Sequence, residues 1–389
     1  MLILLSILIP GAIALLFFIR ARSSKSESKP VNIQEENAPK EKKDKKEPTK
    51  AQKAPKNYRP KPQKAFVPQD DLYVASLKGH SSDITCFCWS RDGKLAATAS
   101  NDRTIRVYIM STLNSPNPKY IRVSTDLDVV DTMDFTEDNR YLVCALLGSK
   151  EIAIYRLSME GGTLYKHFPI ERNAYPSRVF VSGSGDKMCI VLVCSGSDTV
   201  IRVYDANGAL KSRIDNAQVE NYGSAFNYHQ DFFACGSFGS DTKVFAIVRS
   251  SSTREYQRFI KAMTLSGVHS SVYDVSFDQH ERVAVVSKDS CLYMWTVAVR
   301  YQVQEDPHLL SRVELKKGYN HLALHPLEDL AVVALGKEAA IVNPVTGAIV
   351  KEIDEMAGST VKAIETSPDG KFFAVLGTGE KAVTIWKYH

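Results

Sequence analysis

The chain has 389 residues, 44% hydrophobic and 24% charged, with 21 glycines, 16 prolines and 9% aromatics, a turn-rich globular composition that excludes disorder throughout. Its net charge of +5 is unevenly placed: residues 20–66 hold 15 Lys/Arg against 6 Asp/Glu, and residues 67–389 hold 34 against 38. Nucleic-acid binding driven by bulk basicity is thereby excluded for the body and confined to the N-terminal segment.

In chain order, "MLILLSILIPGAIALLFFI" (1–19) carries no charged side chain, and at 1.5 Å per residue it makes a helix of roughly 28 Å, close to the hydrocarbon thickness of a bilayer. A transmembrane helix is predicted. A secretory signal peptide competes, but that would place its cations before the apolar run and keep the run shorter. Here Arg20, Arg22, Lys25 and Lys29 follow it, which puts the rest of the chain in the cytosol. Pro10-Gly11 is tolerated in a membrane helix with a small kink.

Residues 20–66 are rich in Lys, Glu, Ser and Pro. Such a segment buries too little apolar surface to offset its ordering entropy, so a disordered linker is predicted. Cations beside a span attract anionic headgroups at about 1 kcal/mol each, although Glu35, Glu36, Glu41, Asp44 and Glu47 dilute the effect. Contact with RNA or a ribosome through this linker is the alternative function.

From Asp71 the pattern becomes short apolar or alternating runs broken by Gly, Asp, Asn and Ser, which are strand signals. The runs repeat at about the 40-residue spacing of a propeller blade. Asp102 is followed six residues later by Tyr108, Asp198 by Tyr204 and Asp289 by Trp295. The phase returns, degraded, in "DTKVF" ending at Phe245 and in "EKAVTIW" ending at Trp386, and "EIAIY" (Tyr155) and "AAIVN" (Asn343) fill the gaps. Gly79-His80 precedes the first unit and Gly267-Val268-His269 the fifth, and "SRDG" (90–93) and "SPDG" (367–370) are matching turns.

In these motifs, over residues 71–389, the chain resembles the WD40 family. The expected body, residues 67–389, is an all-β, seven-bladed WD40-type β-propeller, with "DLYVASL" (71–77) supplying the outer strand of the last blade and closing the ring. The resemblance implies structural His-Asp-aromatic chains: His80, Thr98, Asp102 and Tyr108 in blade one, with Tyr for the usual Trp, and a shortened His269 and Asp289 pair in blade five. Asp198 and Tyr204, Trp295 and Trp386 hold the matching positions elsewhere. The face carrying the Gly-His loops and Asp turns is the expected partner surface, with His80, Asn101, Arg103, Ser197 and Lys288 as candidates.

The lone span, the Lys-rich linker and "YQVQEDPHLL" (301–310) narrow the resemblance to an endoplasmic-reticulum-anchored branch of the family. It implies a single-pass protein of that membrane with its propeller in the cytosol, a scaffold in stress signalling and translation control, and a stress kinase as partner. No catalytic residue, cofactor, metal or small-molecule substrate is expected, since nucleophile-elbow, P-loop and zinc-helix motifs are missing. "SGSGD" (182–186) reads as a β turn rather than a phosphate cradle, because no helix follows it. Seven cysteines, mostly on apolar stretches, read as reduced core thiols, and Cys86-x-Cys88 lacks the further ligands of a zinc site.

Overall fold

The computed structural model describes residues 66–389 except Leu127. The membrane span expected at 1–19 and all but the last residue of the linker lie outside the described residues. Among those described, no helix is long and apolar enough to cross a membrane, and the helical segments are three 3-10 turns.

The short runs form 28 strands. Strand β1 (Tyr73–Leu77) precedes blade one, which comprises β2 (Ile84–Trp89), β3 (Leu95–Ser100), β4 (Thr104–Ile109) and β5 (Tyr120–Ser124). Blades two to six follow at 130–169, 176–215, 221–265, 272–314 and 321–353, each a four-stranded antiparallel meander. Blade seven (361–386) contributes three strands of its own, and β1 pairs antiparallel with its last, Val383–Trp386. The closing strand therefore comes from the segment whose phase predicts it, and the last blade is left with no open outer edge. Blades one and two touch at their rims through one parallel bridge, Val123 to Gly162. A Cβ at Gly162 would lie 2.4 Å from Val123 Cγ2, so glycine is required for that approach.

The strands are buried on both sides, which explains their near-continuous apolar character. Each of the seven hydrophobic clusters fills the space between two neighbouring blades. Between blades seven and one, Leu77, Ile84, Trp89 and Tyr108 pack on Ala374, Leu376 and Ile385. Burying one such large side chain stabilises by about 1.5–3 kcal/mol, so the blade interfaces hold the ring.

The innermost strand of each blade is an edge strand, and its backbone N–H groups need partners. Polar side chains of the preceding blade supply them. Thr132 Oγ1 and Asp134 Oδ2 accept from Val179 and Val181 N–H (3.2 and 2.8 Å), and Asp274 Oδ2 and Ser276 Oγ accept from Leu322 and Leu324 (both 3.0 Å). The turns between first and second strands share one design. In blades one and seven the Ser hydroxyl donates to the Asp carboxylate (2.8 and 2.7 Å) and accepts a later backbone N–H (2.8 and 3.0 Å). Thr136 and Asp138 repeat it in blade two at 2.7 Å.

Candidate functional site

Loops entering each blade and turns joining its second and third strands emerge on one face, because adjacent strands run antiparallel. In blade one this brings His80 from the entry loop to Asp102 in the turn. His80 Nδ1 lies 3.0 Å from Asp102 Oδ2, and Nε2 lies 2.8 Å from Thr98 Oγ1 on the second strand. Ser81 N–H adds a bond to Asp102 Oδ2 (2.9 Å) and Thr104 Oγ1 one to Oδ1 (2.7 Å). Burial opposes ionisation of Asp102, but the Thr104 hydroxyl, the Ser81 N–H and His80 outweigh it and hold the carboxyl at about 2. Burial also pushes the His80 pKa below its usual 6.5. At neutral pH the ring is therefore uncharged, with Nδ1–H donating to Asp102 and Nε2 accepting from Thr98.

This array has the connectivity of an acid, base and nucleophile. Thr98 and the His80 side chain are at 0% exposure, so no substrate carbonyl reaches the hydroxyl. Its geometry pins the entry loop to the blade. Tyr108 is placed differently from the expected chain: its hydroxyl donates to Lys78 O at 2.9 Å, holding the entry loop two residues before His80.

Blade three does the same work with different chemistry. Arg202, four residues after Asp198, is 3% exposed and bonds Asp198 (3.0 Å) on one side and Glu171 of the entry loop (2.6 Å) on the other. Burial disfavours the cation, but Glu171 and Asp198 more than offset it and raise its pKa. Tyr204 packs against Phe168, ring centroids 5.5 Å apart. Blade five requires a correction. His269 stands exposed on its loop, and Asp289 is served instead by the Ser287 hydroxyl, Cys291 N–H (3.2 Å) and Tyr293 O–H (2.8 Å), whose oxygen accepts from Arg312 Nε at 3.2 Å. Counted back from the first paired residue of the inner strand, Ile84 in blade one and Val272 in blade five, Val268 holds the position of His80, and it is buried at 5% exposure where the imidazole was expected. Trp295 stacks on Tyr293 and Trp386 on Phe373, and Trp386 Nε1 donates to Thr384 Oγ1 at 2.9 Å.

Arg202 and Tyr293, with Arg106 in blade one, all stand four residues after a turn Asp. Strand period two returns that position to the same side as the turn carboxylate, a recurrence the sequence carries and a search for Gly-His misses.

Of the partner-face candidates, Asn101, Arg103, Ser197 and Lys288 are exposed on this face, whereas His80 is buried at 6% and is withdrawn from the surface. Beside Ser197 lies a surface that sequence reading passed over. Leu147, Tyr175, Val219 and Phe238 are 45%, 58%, 73% and 53% exposed and occupy loops of blades two, three and four on this face, to either side of the Ser197 turn. Lys150 Nζ lies 4.0 Å from the Tyr175 ring centroid, and Tyr222 packs edge-on against Phe238. Large apolar residues at turn positions, where Gly, Asn, Ser or Asp is expected, were the available signal.

All seven cysteines are free thiols, six of them buried. Burial pushes Cys86, Cys194 and Cys235 up to about 12, which leaves them protonated and unreactive. Among the described residues no group of three His, Cys, Asp or Glu could hold a metal ion.

The closed ring, the blade meander and the blade-one pin define a WD40-repeat β-propeller. The family model for the WD domain, G-beta repeat, matches residues 72–108. Along its length the chain is similar to transducin beta-like protein 2 from Mus musculus, 25% identical over 375 residues, 94% of this chain and 82% of that protein. The Homo sapiens protein of the same name is 25% identical over 326 residues, 81% and 71% of the two chains. Among solved structures, the β-propeller domain of Cps50 (Swd1) from Myceliophteria thermophila shares the fold with a TM-score of 0.61 at 13% identity, covering 81% of this chain and all of that one.

Proposed function

We propose that this protein is a membrane-anchored scaffold that binds protein partners on the Gly-His and Asp-turn face of its propeller. The observation that carries the reading is the set of Leu147, Tyr175, Val219 and Phe238, four large exposed apolar side chains on loops of that face in three successive blades. Exposed large apolar side chains gathered on one face of a rigid platform mark an interaction site. The anchor is the 1–19 segment, supported by its lack of charge and by the cations after it. In this reading the propeller faces the cytosol from the endoplasmic reticulum and serves stress signalling and translation control, with a stress kinase among its partners.

Proximity labelling from the propeller tests the surface. Tyr175→Asp combined with Phe238→Asp should remove the partners labelled by the unchanged protein without altering thermal stability; identical labelling sinks the assignment. Protease added to intact microsomes should digest the propeller, and a protected propeller refutes the topology. The 15 Lys/Arg in residues 20–66 support the second reading, RNA or ribosome binding by the linker. Deletion of 20–66 that abolishes a steeply salt-dependent ribosome association would favour it.

A further inference from the structure

The opposite face carries the turns between first and second strands and the loops between third and outer strands. There an open trough of about 1060 Å³ is built mainly on blades three and four, large enough for a small organic ligand. Arg249 organises it. Its Nη1 donates to Lys187 O (3.0 Å) and Arg254 O (2.9 Å), and its Nη2 to Ser182 O (2.8 Å). Lys187 Nζ donates to Thr253 O at 2.6 Å. The Nη groups of Arg249 are thus fully engaged by neutral acceptors, Ser182 Oγ at 2.9 Å among them, and it acts on an incoming anion through its charge alone, whereas Lys187 and the exposed Arg254 beside it can also donate.

Gln230 supplies an independent observation. It has φ +60° and fills the left-handed turn position that Gly93 and Gly370 occupy in blades one and seven and Asn139 in blade two, where a side chain costs about 1 kcal/mol or more. It is only 5% exposed. Gly183 N–H donates to its Oε1 at 3.1 Å, which fixes the amide orientation and leaves Nε2 as a buried donor with no protein partner in a side chain that lines the trough. A buried donor left unmade is costly, and an anionic acceptor beside these cations is suited to satisfy it.

We propose that this trough binds a phosphate monoester dianion. Its three oxygens and double charge suit three cations and an amide donor better than a carboxylate, which neutralises one charge. Tyr228 and Tyr301 wall the trough and offer apolar faces to the organic part of the ester. Asp92, Glu137 and Asp231 also line it and oppose the anion. Asp231 is partly occupied by Asn227 Nδ2 at 2.6 Å and Asp92 by Lys94 Nζ at 3.3 Å and the Ser90 hydroxyl at 2.8 Å, so Glu137 is the carboxylate whose removal should tighten binding.

Titration calorimetry of the full-length chain at fixed ionic strength tests this, with glycerol 3-phosphate against glycolate. A second arm compares phosphatidylcholine vesicles with and without phosphatidylinositol 4-phosphate. Saturable binding of the phosphate ester in either arm is expected, with glycolate at least about tenfold weaker, and the responding arm assigns a soluble or a lipid source. Gln230→Glu and Arg254→Gln should each weaken binding about tenfold, the scale of one charge-assisted bond, and Glu137→Gln should strengthen it. Equal binding of glycolate, or titrations unchanged by Arg254→Gln, overturns the proposal. Arg254 is exposed, so that variant carries the test even if Gln230→Glu fails to fold.

Discussion

At the scale of single residues, His80 joins the two halves of the blade-one pin. Its removal takes the partner from the buried Thr98 hydroxyl and one bond from the Asp102 carboxylate, which keeps Ser81 N–H and Thr104 Oγ1, and a buried polar group without its partner costs about 1–3 kcal/mol. His80→Ala should therefore lower the folding free energy by about 2 kcal/mol or more, read as a shift in urea midpoint at unchanged slope. A loss below about 0.5 kcal/mol, the size of an ordinary surface substitution, would mean that the array does not pin the blade. The same residue gives a pH signature. His80 and His325 are both held below 6.5 by burial, so as pH falls below 6.5 the unfolded chain takes up protons that the folded state refuses, and stability falls. Asp102 adds a further loss between 3.8 and about 2. Glu365 and Asp134, raised by burial, act in the opposite sense, so comparison of variants is needed to isolate the histidines. In His80→Gln/His325→Gln the decline in melting temperature between pH 7 and 5 should be shallower than in the unchanged protein, and parallel curves refute the assignment. The residues of the pin were legible because blade one keeps glycine, histidine, hydroxyl and carboxylate together. In blades three and five the roles passed to Arg202, Glu171 and Tyr293, residue types usually read as solvated surface, and only contact distances reveal them.

At the scale of elements, strand phase was legible along the whole body, because alternation and turn chemistry are local properties. The closing strand was legible for the same reason: "DLYVASL" has strand character and lies in phase with the first Gly-His. Less legible was the entry to blade five, where the glycine keeps its distance from the strand but valine fills the next position, so Val268 takes the buried place and His269 the exposed one. The exposed apolar loop residues were hidden because loops are read for their polar residues. Leu77, at 0% exposure in the cluster between blades seven and one, makes the closure testable. Leu77→Ala should cost about 2–5 kcal/mol. Deleting residues 66–77 should do something different in kind, exposing the Val383–Trp386 edge and promoting association through it. Size-exclusion chromatography with light scattering distinguishes the two, and a monomeric, fully stable deletion would show that the ring does not depend on β1.

At the scale of the whole molecule, the ring is held by blade interfaces at its circumference and by one ion pair across its channel. Arg178 of blade three donates from Nη1 to Glu365 of blade seven at 2.7 Å, although blades one and two separate them on the shorter way round. Arg91 adds a second link, from blade one to Asp134 of blade two and the Val181 carbonyl of blade three. The Arg178 side chain is 37% exposed and that of Glu365 22%, so the pair lies between two limits: about 0–1 kcal/mol for an exposed pair and 3–5 kcal/mol for breaking a buried one. Burial raises the Glu365 pKa despite Arg178, whereas burial of Arg178 is outweighed by Glu365, which raises its pKa, so desolvation offsets part of the attraction and an intermediate value applies. A double-mutant cycle with Arg178→Met and Glu365→Leu separates the pair from its solvation. Each single change strands a charge in the channel, whereas the double change leaves none, so the double mutant should be less destabilised than the sum of the singles by about 1–3 kcal/mol. Additivity within about 0.5 kcal/mol would show that channel water already screens the two charges. The blades would then be held in register by the seven apolar interfaces, the Arg91 link and the polar side chains that cap the next inner strand, without help from this pair.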